Sequence, residues 1–192
     1  MTGTTQTDAR KNPVTVGLFV TCLVDLFRPE IAIAATSLLE EAGCKVVLTK
    51  AQSCCGQPGY NSGDFKGAGA IVRSLPKAFA KADYIVVPSG SCAAMLRTHL
   101  PQLVDANETE SSQAGLDFAG KSWELAAFLV EVMQFSLPDR TNPALPLNYT
   151  YHDSCSGLRE LKIKSAPRNL LDQIKGCTRH EMEQAEICCG FG

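Results

Sequence analysis

A pair of adjacent cysteines followed by glycine occurs twice in the chain, as Cys54-Cys55-Gly56 and Cys188-Cys189-Gly190. A lone cysteine precedes each pair, with 31 residues between Cys22 and Cys54 and 32 between Cys155 and Cys188. Adjacent cysteines are poor disulfide partners for each other, because closing so small a ring strains the peptide between them. They can, however, place two thiolates on one metal centre. The repeat therefore predicts two copies of one metal-binding unit, most simply an iron–sulfur unit.

The repeat extends beyond the cysteines that it would use as ligands. A shift of 133 residues superimposes Cys22 on Cys155 and Gly43-Cys44 on Gly176-Cys177, and one inserted residue then aligns the two CCG triplets. A period of this size fits two half-domains, since solenoid repeats are about 20–50 residues long.

Composition excludes several classes of protein. A net charge of −2 and a pI near 5.9 offer no basic surface for nucleic acid. No apolar stretch is long enough for a transmembrane segment, and polar residues 1–13 read as a short disordered tail without a signal peptide. Nine cysteines without a secretion signal favour a reducing, cytoplasmic location. A secreted disulfide scaffold is the alternative, although a chain of 192 residues folds without such cross-links.

Short apolar runs alternate with helical patterns in the first half. The predicted elements are strands at Val14–Val20, Cys44–Thr49 and Tyr84–Val87, a helix at Pro29–Glu41, and a helical stretch ending near Lys81. This order predicts an α/β fold with a parallel sheet and crossover helices. The loops after these strands carry Cys22, Cys54, Cys55 and Cys92. Since the carboxyl ends of parallel strands face one crevice, we expect the four thiols to converge there.

The remaining chain divides at a proline-rich segment. Residues 105–121 are polar and predict a loop, after which Ser122 is expected to cap a helix. The apolar stripe of that helix faces either the core or, less simply, a partner: Leu125, Phe128, Leu129 and Val132. Residues 138–146 predict a linker between a first module at 14–137 and an incomplete second module at 147–192. The second module is expected to begin with a strand at 148–152 and to carry a helix across 167–174.

The spacing of the cysteines bears on which metal they bind. Thiolates select iron–sulfur clusters, zinc or copper(I). Structural zinc sites usually pair their ligands as C-x₂₋₄-C, whereas every gap here except the adjacent one exceeds thirty residues. Adjacent ligands also diverge, which suits two metal atoms of one cluster. Iron–sulfur is favoured, and zinc or metal-free thiol redox chemistry stays open. Gly56, and Gly190 in the repeat, would let the backbone turn sharply or approach a cluster.

Several residues beside the cysteines have more than one reading. Ser89 is a weak oxygen ligand, a hydrogen-bond donor to sulfide or a helix cap. Cys92 at a helix start is also a candidate nucleophile, although no base is evident beside it. His152 could orient a cluster, relay a proton or pack at a strand end. Residues expected to have no ligand role are the core cysteines Cys44 and Cys177 and the surface histidines His99 and His180.

Four segments together resemble the CCG-domain (cysteine-rich) family of iron–sulfur proteins: FVTCLVDLFRPE, SCCGQPGYNSG, VVPSGSCAAM and YHDSCSGLREL. That family includes the B subunit of heterodisulfide reductase and the iron–sulfur subunit of glycolate oxidase. The closer resemblance is to its stand-alone subgroup that serves L-lactate utilisation. The resemblance implies two CCG half-domains, each a small parallel sheet with its cysteine loops at the strand ends.

The resemblance also implies ligands. Those of the first module would be Cys22, Cys54, Cys55 and Cys92, and those of the second Cys155, Cys188 and Cys189. Ser89 stands where the family's CxxC motif has its first cysteine, which favours a four-thiolate [4Fe-4S] cluster over a five-thiolate one. The second module lacks a counterpart of Cys92 in this sequence, so we expect it to be truncated. Either the chain is a fragment, or the second cluster is incomplete, completed by a partner's ligand or absent, and we expect at most one complete cluster in this chain.

The implied role is electron transfer in a complex that oxidises L-lactate to pyruvate. Its partners would be the other subunits, with a membrane-associated electron acceptor reached through them as an open possibility. No residue set for lactate itself and no flavin or nicotinamide motif is evident. The alternatives are a zinc-stabilised binding module and thiol–disulfide chemistry of the heterodisulfide reductase type.

Overall fold

A four-stranded parallel sheet organises the first half of the chain. The computed structural model describes residues 13–104, 109–138 and 146–190. The strands are β1 (Thr15–Leu18), β2 (Lys45–Val47), β3 (Tyr84–Val87) and β4 (Ser122–Glu124), in the order β2-β1-β3-β4. All three pairings are parallel. The predicted α/β class with a parallel sheet is therefore confirmed.

Helices make each crossover between these strands. Those before β3 are α1 (Cys22–Phe27), α2 (Pro29–Glu41), α3 (Gln57–Asn61), α4 (Phe65–Val72) and α5 (Leu75–Ala78). After β3, α6 (Gly90–Ala94) runs through a π-helical turn (Met95–His99) into α7 (Leu100–Leu103), and α8 (Thr109–Lys121) follows. Helix α9 (Leu125–Ala127) then continues as a second π-helical turn (Phe128–Val132).

The sheet is buried on both faces. Successive residues of a strand point to opposite sides, and Ile85 and Val87 pack on one side with Phe19 while Val86 packs on the other with Leu18. A sheet covered on both faces is the usual setting for parallel strands, because the crossover helices lie over them. This packing fixes the carboxyl edge of the sheet, where the loops with cysteines emerge.

The polar segment before β4 is a helix, so the loop predicted there is wrong for Thr109–Lys121; residues 105–108 lie outside the described part. Helix α8 buries a narrow face made by Gly115, Phe118 and Ala119, at the i, i+3, i+4 spacing of a helix. Gly115 lies so close to Val104 that a Cβ atom would come within 2.7 Å of its side chain. Because small residues make most of this contact, the segment has little apolar signal in its sequence.

Ser122 does not cap a helix, contrary to the prediction. It is fully buried in β4, where it pairs with Ile85, and its hydroxyl donates to the Phe118 carbonyl oxygen at 2.9 Å. Glu124 caps α9 instead by accepting from the Ala127 N–H at 3.0 Å. A strand of three residues is too short for its alternation to be recognised. The apolar stripe after it does face the core, with Phe128 and Leu129 buried.

The second half carries a smaller parallel sheet. Strands β5 (Leu147–Tyr149) and β6 (Cys177–Arg179) pair in parallel, and α10 (Cys155–Arg159) and α11 (Ser165–Leu171) lie between them. The strand predicted at 148–152 is β5, and the helix predicted at 167–174 is α11; both begin and end earlier than predicted. The boundaries 14–137 and 147–192 stay predictions, because most of the expected linker and tail lies outside the described residues. No helix in the described ranges has the length and apolar character needed to cross a membrane.

Candidate metal centre

Four cysteines from the three segments that follow β1, β2 and β3 surround one cavity at the carboxyl edge of the larger sheet. The cavity has a volume of about 770 Å³, and its wall includes Cys22, Cys54, Cys55 and Cys92. Cys22 begins α1, whose N-terminus is capped by the Thr21 hydroxyl accepting from the Val24 N–H. The adjacent pair lies in the loop before α3, and Cys92 lies in α6. The structure thus brings together all four predicted residues of the first module.

The four sulfur atoms form two close pairs. Cys22 Sγ lies 3.9 Å from Cys54 Sγ, and Cys55 Sγ lies 3.2 Å from Cys92 Sγ. Cys55 and Cys92 are buried, whereas Cys22 and Cys54 are half-buried. The adjacent cysteines therefore point to different partners, one toward the interior and one toward the outer rim.

Burial and mutual contact shift the pKa values of these thiols. The Cys55 thiol donates to the Cys92 sulfur, and this bond together with burial raises the pKa of Cys55. The same bond lowers the pKa of Cys92 to about 7, helped by the hydroxyls of Ser89 and Ser91. Burial, followed by the nearby Cys54, raises the pKa of Cys22. In the metal-free chain, Cys92 is thus the member of the buried pair that ionises more readily.

Ser89 has the geometry of a helix cap. Its side-chain oxygen accepts from the Cys92 N–H at 3.5 Å at the start of α6, and it lies 3.3 Å from the Ser91 hydroxyl. It also lines the cavity. The Ser89 hydroxyl therefore caps α6 and also hydrogen-bonds the buried Cys92 thiol. Its predicted role as an oxygen ligand or a donor to sulfide stays a prediction.

Gly56 occupies a backbone conformation that side chains other than glycine rarely adopt. Its φ is +83°, and a Cβ atom there would lie 3.2 Å from the Val72 side chain and 3.3 Å from the Ala68 carbonyl oxygen of α4. Its N–H points to the Cys54 sulfur at 3.5 Å. Gly190 repeats this turn, with φ +78° and its N–H 3.4 Å from the Cys188 sulfur.

The cysteines of the second half repeat the outer pair of the first. Cys155 begins α10, capped by Ser154, and its sulfur lies 3.7 Å from Cys188 Sγ. Both line a cavity of about 490 Å³ together with the exposed Cys189. No counterpart of Cys92 exists in the described part of this half. The other predicted residue, His152, donates from its Nε2 to the Ile187 carbonyl oxygen at 2.8 Å and so ties two cysteine loops together.

His99 is half-buried rather than fully at the surface, where the prediction placed it. Its Nε2 lies 2.6 Å from the Glu160 carboxylate in the second half, and its ring lies 4.6 Å from the Tyr60 ring. Its Nδ1 is buried and has no hydrogen-bond partner among the described residues. His99 lines the cavity of the second cysteine set. Its partner lies 61 residues away, so no local pattern indicates this role. His180 is exposed, as predicted.

The two halves meet at their cysteine-bearing helices. A Cβ atom on Gly90 of α6 would lie 2.8 Å from the Ser154 hydroxyl oxygen and 3.4 Å from the Gly157 Cα of α10. Gly90 and Ser154 are close in sequence to Cys92 and Cys155, respectively. This contact between α6 and α10, the seam between the two halves, therefore sets the separation of the two groups of thiols.

Histidine, cysteine, aspartate and glutamate side chains do not form a single-ion site in the described ranges: no three of them are grouped so as to hold one metal ion. The thiols of the first half are instead spread over two pairs around one cavity.

Comparison with known proteins identifies the family. The family model described as Cysteine-rich domain (CCG) matches residues 16–97 and again 149–192. The chain is 45% identical to Lactate utilization protein A of Geobacillus kaustophilus over 177 residues, which cover 92% of this chain and 72% of that protein. The protein of the same name from Geobacillus thermodenitrificans is 43% identical, and that from Bacillus pumilus 41%, with the same coverage. The chain belongs to the CCG cysteine-rich domain family.

Proposed function

We propose that this chain is an iron–sulfur electron-transfer component of a system that oxidises L-lactate to pyruvate. The observation that carries the proposal is the cavity at the carboxyl edge of the sheet, where three loops deliver four cysteine thiols. The proposed ligands are Cys22, Cys54, Cys55 and Cys92, and the proposed group is a [4Fe-4S] cluster.

The donor set fits such a cluster. Iron–sulfur clusters are held by four cysteine thiolates, and the four thiols here line a cavity wider than a single ion needs. A tetrahedral zinc ion would hold all four sulfurs around one point. The sulfur separations within the two pairs, 3.9 and 3.2 Å, describe the metal-free thiols, and metal and sulfide analysis distinguishes the two cofactors.

The surrounding residues would control solvent access and electron exit. When bound, the cluster would supply one-electron transfer. The buried Cys55 and Cys92 would shield its inner side from water, while the half-buried Cys22 and Cys54 leave the outer side near the surface. We expect electrons to enter and leave through that outer side, since transfer to a partner needs a short path.

The second cysteine set supports a lesser role. Cys155, Cys188 and Cys189 supply three thiols, and the described residues of this half contain no fourth cysteine ligand. The first half would therefore hold the one complete cluster of this chain. The second set would need a ligand from elsewhere to complete a similar centre.

The names of the relatives support the proposed substrate and partners. Proteins named Lactate utilization protein A are 37–45% identical to this chain. Lactate oxidation releases two electrons, which an iron–sulfur protein can receive from a partner. We therefore place it as a cytoplasmic subunit that receives electrons from a partner and passes them on, with a membrane-associated acceptor reached through other subunits.

A redox titration tests the electron-transfer role. The chain is purified without oxygen, reduced with dithionite and followed by visible absorbance and low-temperature EPR. We expect the wild type to bleach and to give the EPR signal of a reduced cluster. Cys92→Ser should lose both signals, and Cys44→Ala, a buried cysteine outside the cavity, should keep them. A wild type that holds iron but cannot be reduced would contradict the proposal.

Substrate assignment needs the partner proteins. The chain is mixed with the other proteins of the lactate-oxidising system from the same cell, and L-lactate is added in place of dithionite. We expect the cluster to be reduced by L-lactate only in the complete mixture, with D-lactate as the control. Failure of L-lactate to reduce the cluster in that mixture would contradict the substrate assignment and leave the redox titration unaffected.

A further inference from the structure

In the first half, one side chain joins the two loops that carry the outer cysteine pair. The Gln52 carboxamide accepts from the Val20 N–H at 3.2 Å and donates to the Val20 carbonyl oxygen at 3.1 Å. Val20 precedes Cys22 by two residues, and Gln52 precedes Cys54 by two. An amide side chain is suited to this task because it donates and accepts at once. The double bond closes a ring beside the 3.9 Å sulfur pair.

The second half has a tie at the corresponding place, made by different groups. Asp153 precedes Cys155 by two residues, as Val20 precedes Cys22. Its N–H donates to the Ala185 carbonyl oxygen at 2.8 Å, and Ala185 precedes Cys188 by three residues. The backbone thus makes the link between loops that the Gln52 side chain makes in the first half.

A buried ion pair holds Asp153 in that position. Arg168 of α11 donates to both Asp153 carboxylate oxygens at 2.7 Å and also binds the Glu181 carboxylate from its Nε at 2.7 Å. Asp153 is 2% exposed and Arg168 6% exposed. A planar guanidinium that binds two carboxylates in this way fixes direction as well as distance. Arg168 therefore clamps the Cys155 loop to the segment that leads to Cys188.

These groups lie outside the cavities that the cysteines line. Neither Gln52 nor Asp153 nor Arg168 contributes to the wall of the corresponding cysteine cavity. They can act on the thiols only through the backbone, by holding one cysteine loop against the other. The two halves share this tie although one uses a neutral amide and the other an ion pair.

We infer that Gln52 and the Asp153–Arg168 pair are positioning residues that hold the lone cysteine beside the first cysteine of the CCG triplet in each half. The inference rests on the proposed metal-binding function and deepens it, because it assigns the residues that preorganise the thiols. It concerns the spacing of the sulfur atoms before any metal arrives.

The test measures that spacing in the metal-free chain of 192 residues. Cys55→Ser and Cys189→Ser form the background, so that each lone cysteine has one near partner. Diamide then oxidises the thiols, and peptide mapping gives the rates of disulfide formation for Cys22–Cys54 and Cys155–Cys188. Gln52→Ala should slow the first pair roughly five- to thirty-fold, as expected for the loss of two hydrogen bonds, and leave the second unchanged. Gln52→Glu, which keeps only the accepted bond, should fall between.

The second half supplies the reciprocal measurement. Removing Arg168 alone would leave a buried carboxylate unpaired, so the variant is Asp153→Asn with Arg168→Met. We expect it to slow only the Cys155–Cys188 pair. The matched control is Gln113→Ala, since Gln113 is exposed on α8 and bonds Asp117; it should change neither rate.

The crossed design separates positioning from loss of the fold. Equal slowing of both pairs by either variant, or no slowing of the first pair by Gln52→Ala, would overturn the inference. Iron and sulfide content of the wild type is measured in parallel. If each variant slows disulfide formation only in its own half but the wild type binds no iron, the positioning role stands and the proposed function is contradicted. If the wild type binds iron but the variants do not slow the two sulfur pairs selectively, the proposed function stands and the positioning role is overturned.

Discussion

The Ser89 hydroxyl both caps helix α6 and hydrogen-bonds the buried Cys92 thiol. Ser89 accepts from the Cys92 N–H and also lowers the pKa of the Cys92 thiol. A capping side chain satisfies a backbone donor that the first turn of a helix leaves free. Ser89 stands where the family's CxxC motif has its first cysteine, and it is hydrogen-bonded to Cys92, the second cysteine of that motif.

We predict that Ser89→Ala lowers the free energy of unfolding by about 0.5–2 kcal/mol, the usual cost of a lost cap. It should also raise the pKa of Cys92 in the metal-free chain, because a hydrogen bond to the thiolate disappears. Urea unfolding and thiolate absorbance against pH measure the two effects. Ser37→Ala, on the exposed side of α2, is the control. An unchanged Cys92 titration would show that the hydroxyl acts only as a cap.

The Glu124 carboxyl predicts a pH dependence of stability. Burial raises its pKa above the usual value of 4.5, and the nearby Glu131 adds to the effect. A raised pKa in the folded state means that stability is full below the unfolded pKa and falls as pH rises through the folded pKa. Glu124→Gln keeps an acceptor for the Ala127 N–H and should remove this fall. The measurement is the free energy of unfolding from pH 4 to pH 8. The same dependence on pH in the wild type and in Glu124→Gln would contradict the prediction.

At the scale of elements, apolar periodicity made three strands and one helix predictable. The runs around β1, β2 and β3 are apolar and β-branched, and α2 begins at Pro29 and ends before Gly43. Strand β4 was missed because it is short and is buried by pairing with β3, which is distant in sequence. Helix α8 was missed because small residues make most of its buried face. Tertiary context decides such short or small-residue elements.

The contact of α6 with α10 predicts a steric effect of glycine replacement. Gly90→Ala would bring a Cβ atom within 2.8 Å of the Ser154 hydroxyl oxygen, and such overpacking costs about 1–3 kcal/mol. Gly120→Ala on α8, where a Cβ atom meets nothing within 4 Å, should be neutral or stabilise by up to about 1 kcal/mol. Thermal or urea unfolding compares the two variants. Equal effects would show that the seam between the helices is not tightly packed.

At the scale of the whole molecule, the sequence repeat has a counterpart in space. The outer sulfur pairs are 3.9 Å apart in the first half and 3.7 Å in the second. The repeated cysteine spacing predicted two copies of one unit, and the strand pattern predicted that the thiols of the first half converge at one edge of the sheet. The pairing of the sulfur atoms was not predicted. The seam itself was not predictable, because Gly90 meets Ser154 and His99 meets Glu160 only after both halves have folded.

Metal analysis of the whole chain tests the assignment of the cavity most directly. Iron, zinc and acid-labile sulfide are measured per chain after purification without oxygen, for the wild type and for Cys54→Ser. We predict about four iron and four sulfide in the wild type, as a [4Fe-4S] cluster requires, and their loss in the variant. Zinc without sulfide in the wild type, or iron and sulfide undiminished in Cys54→Ser, would contradict the assignment.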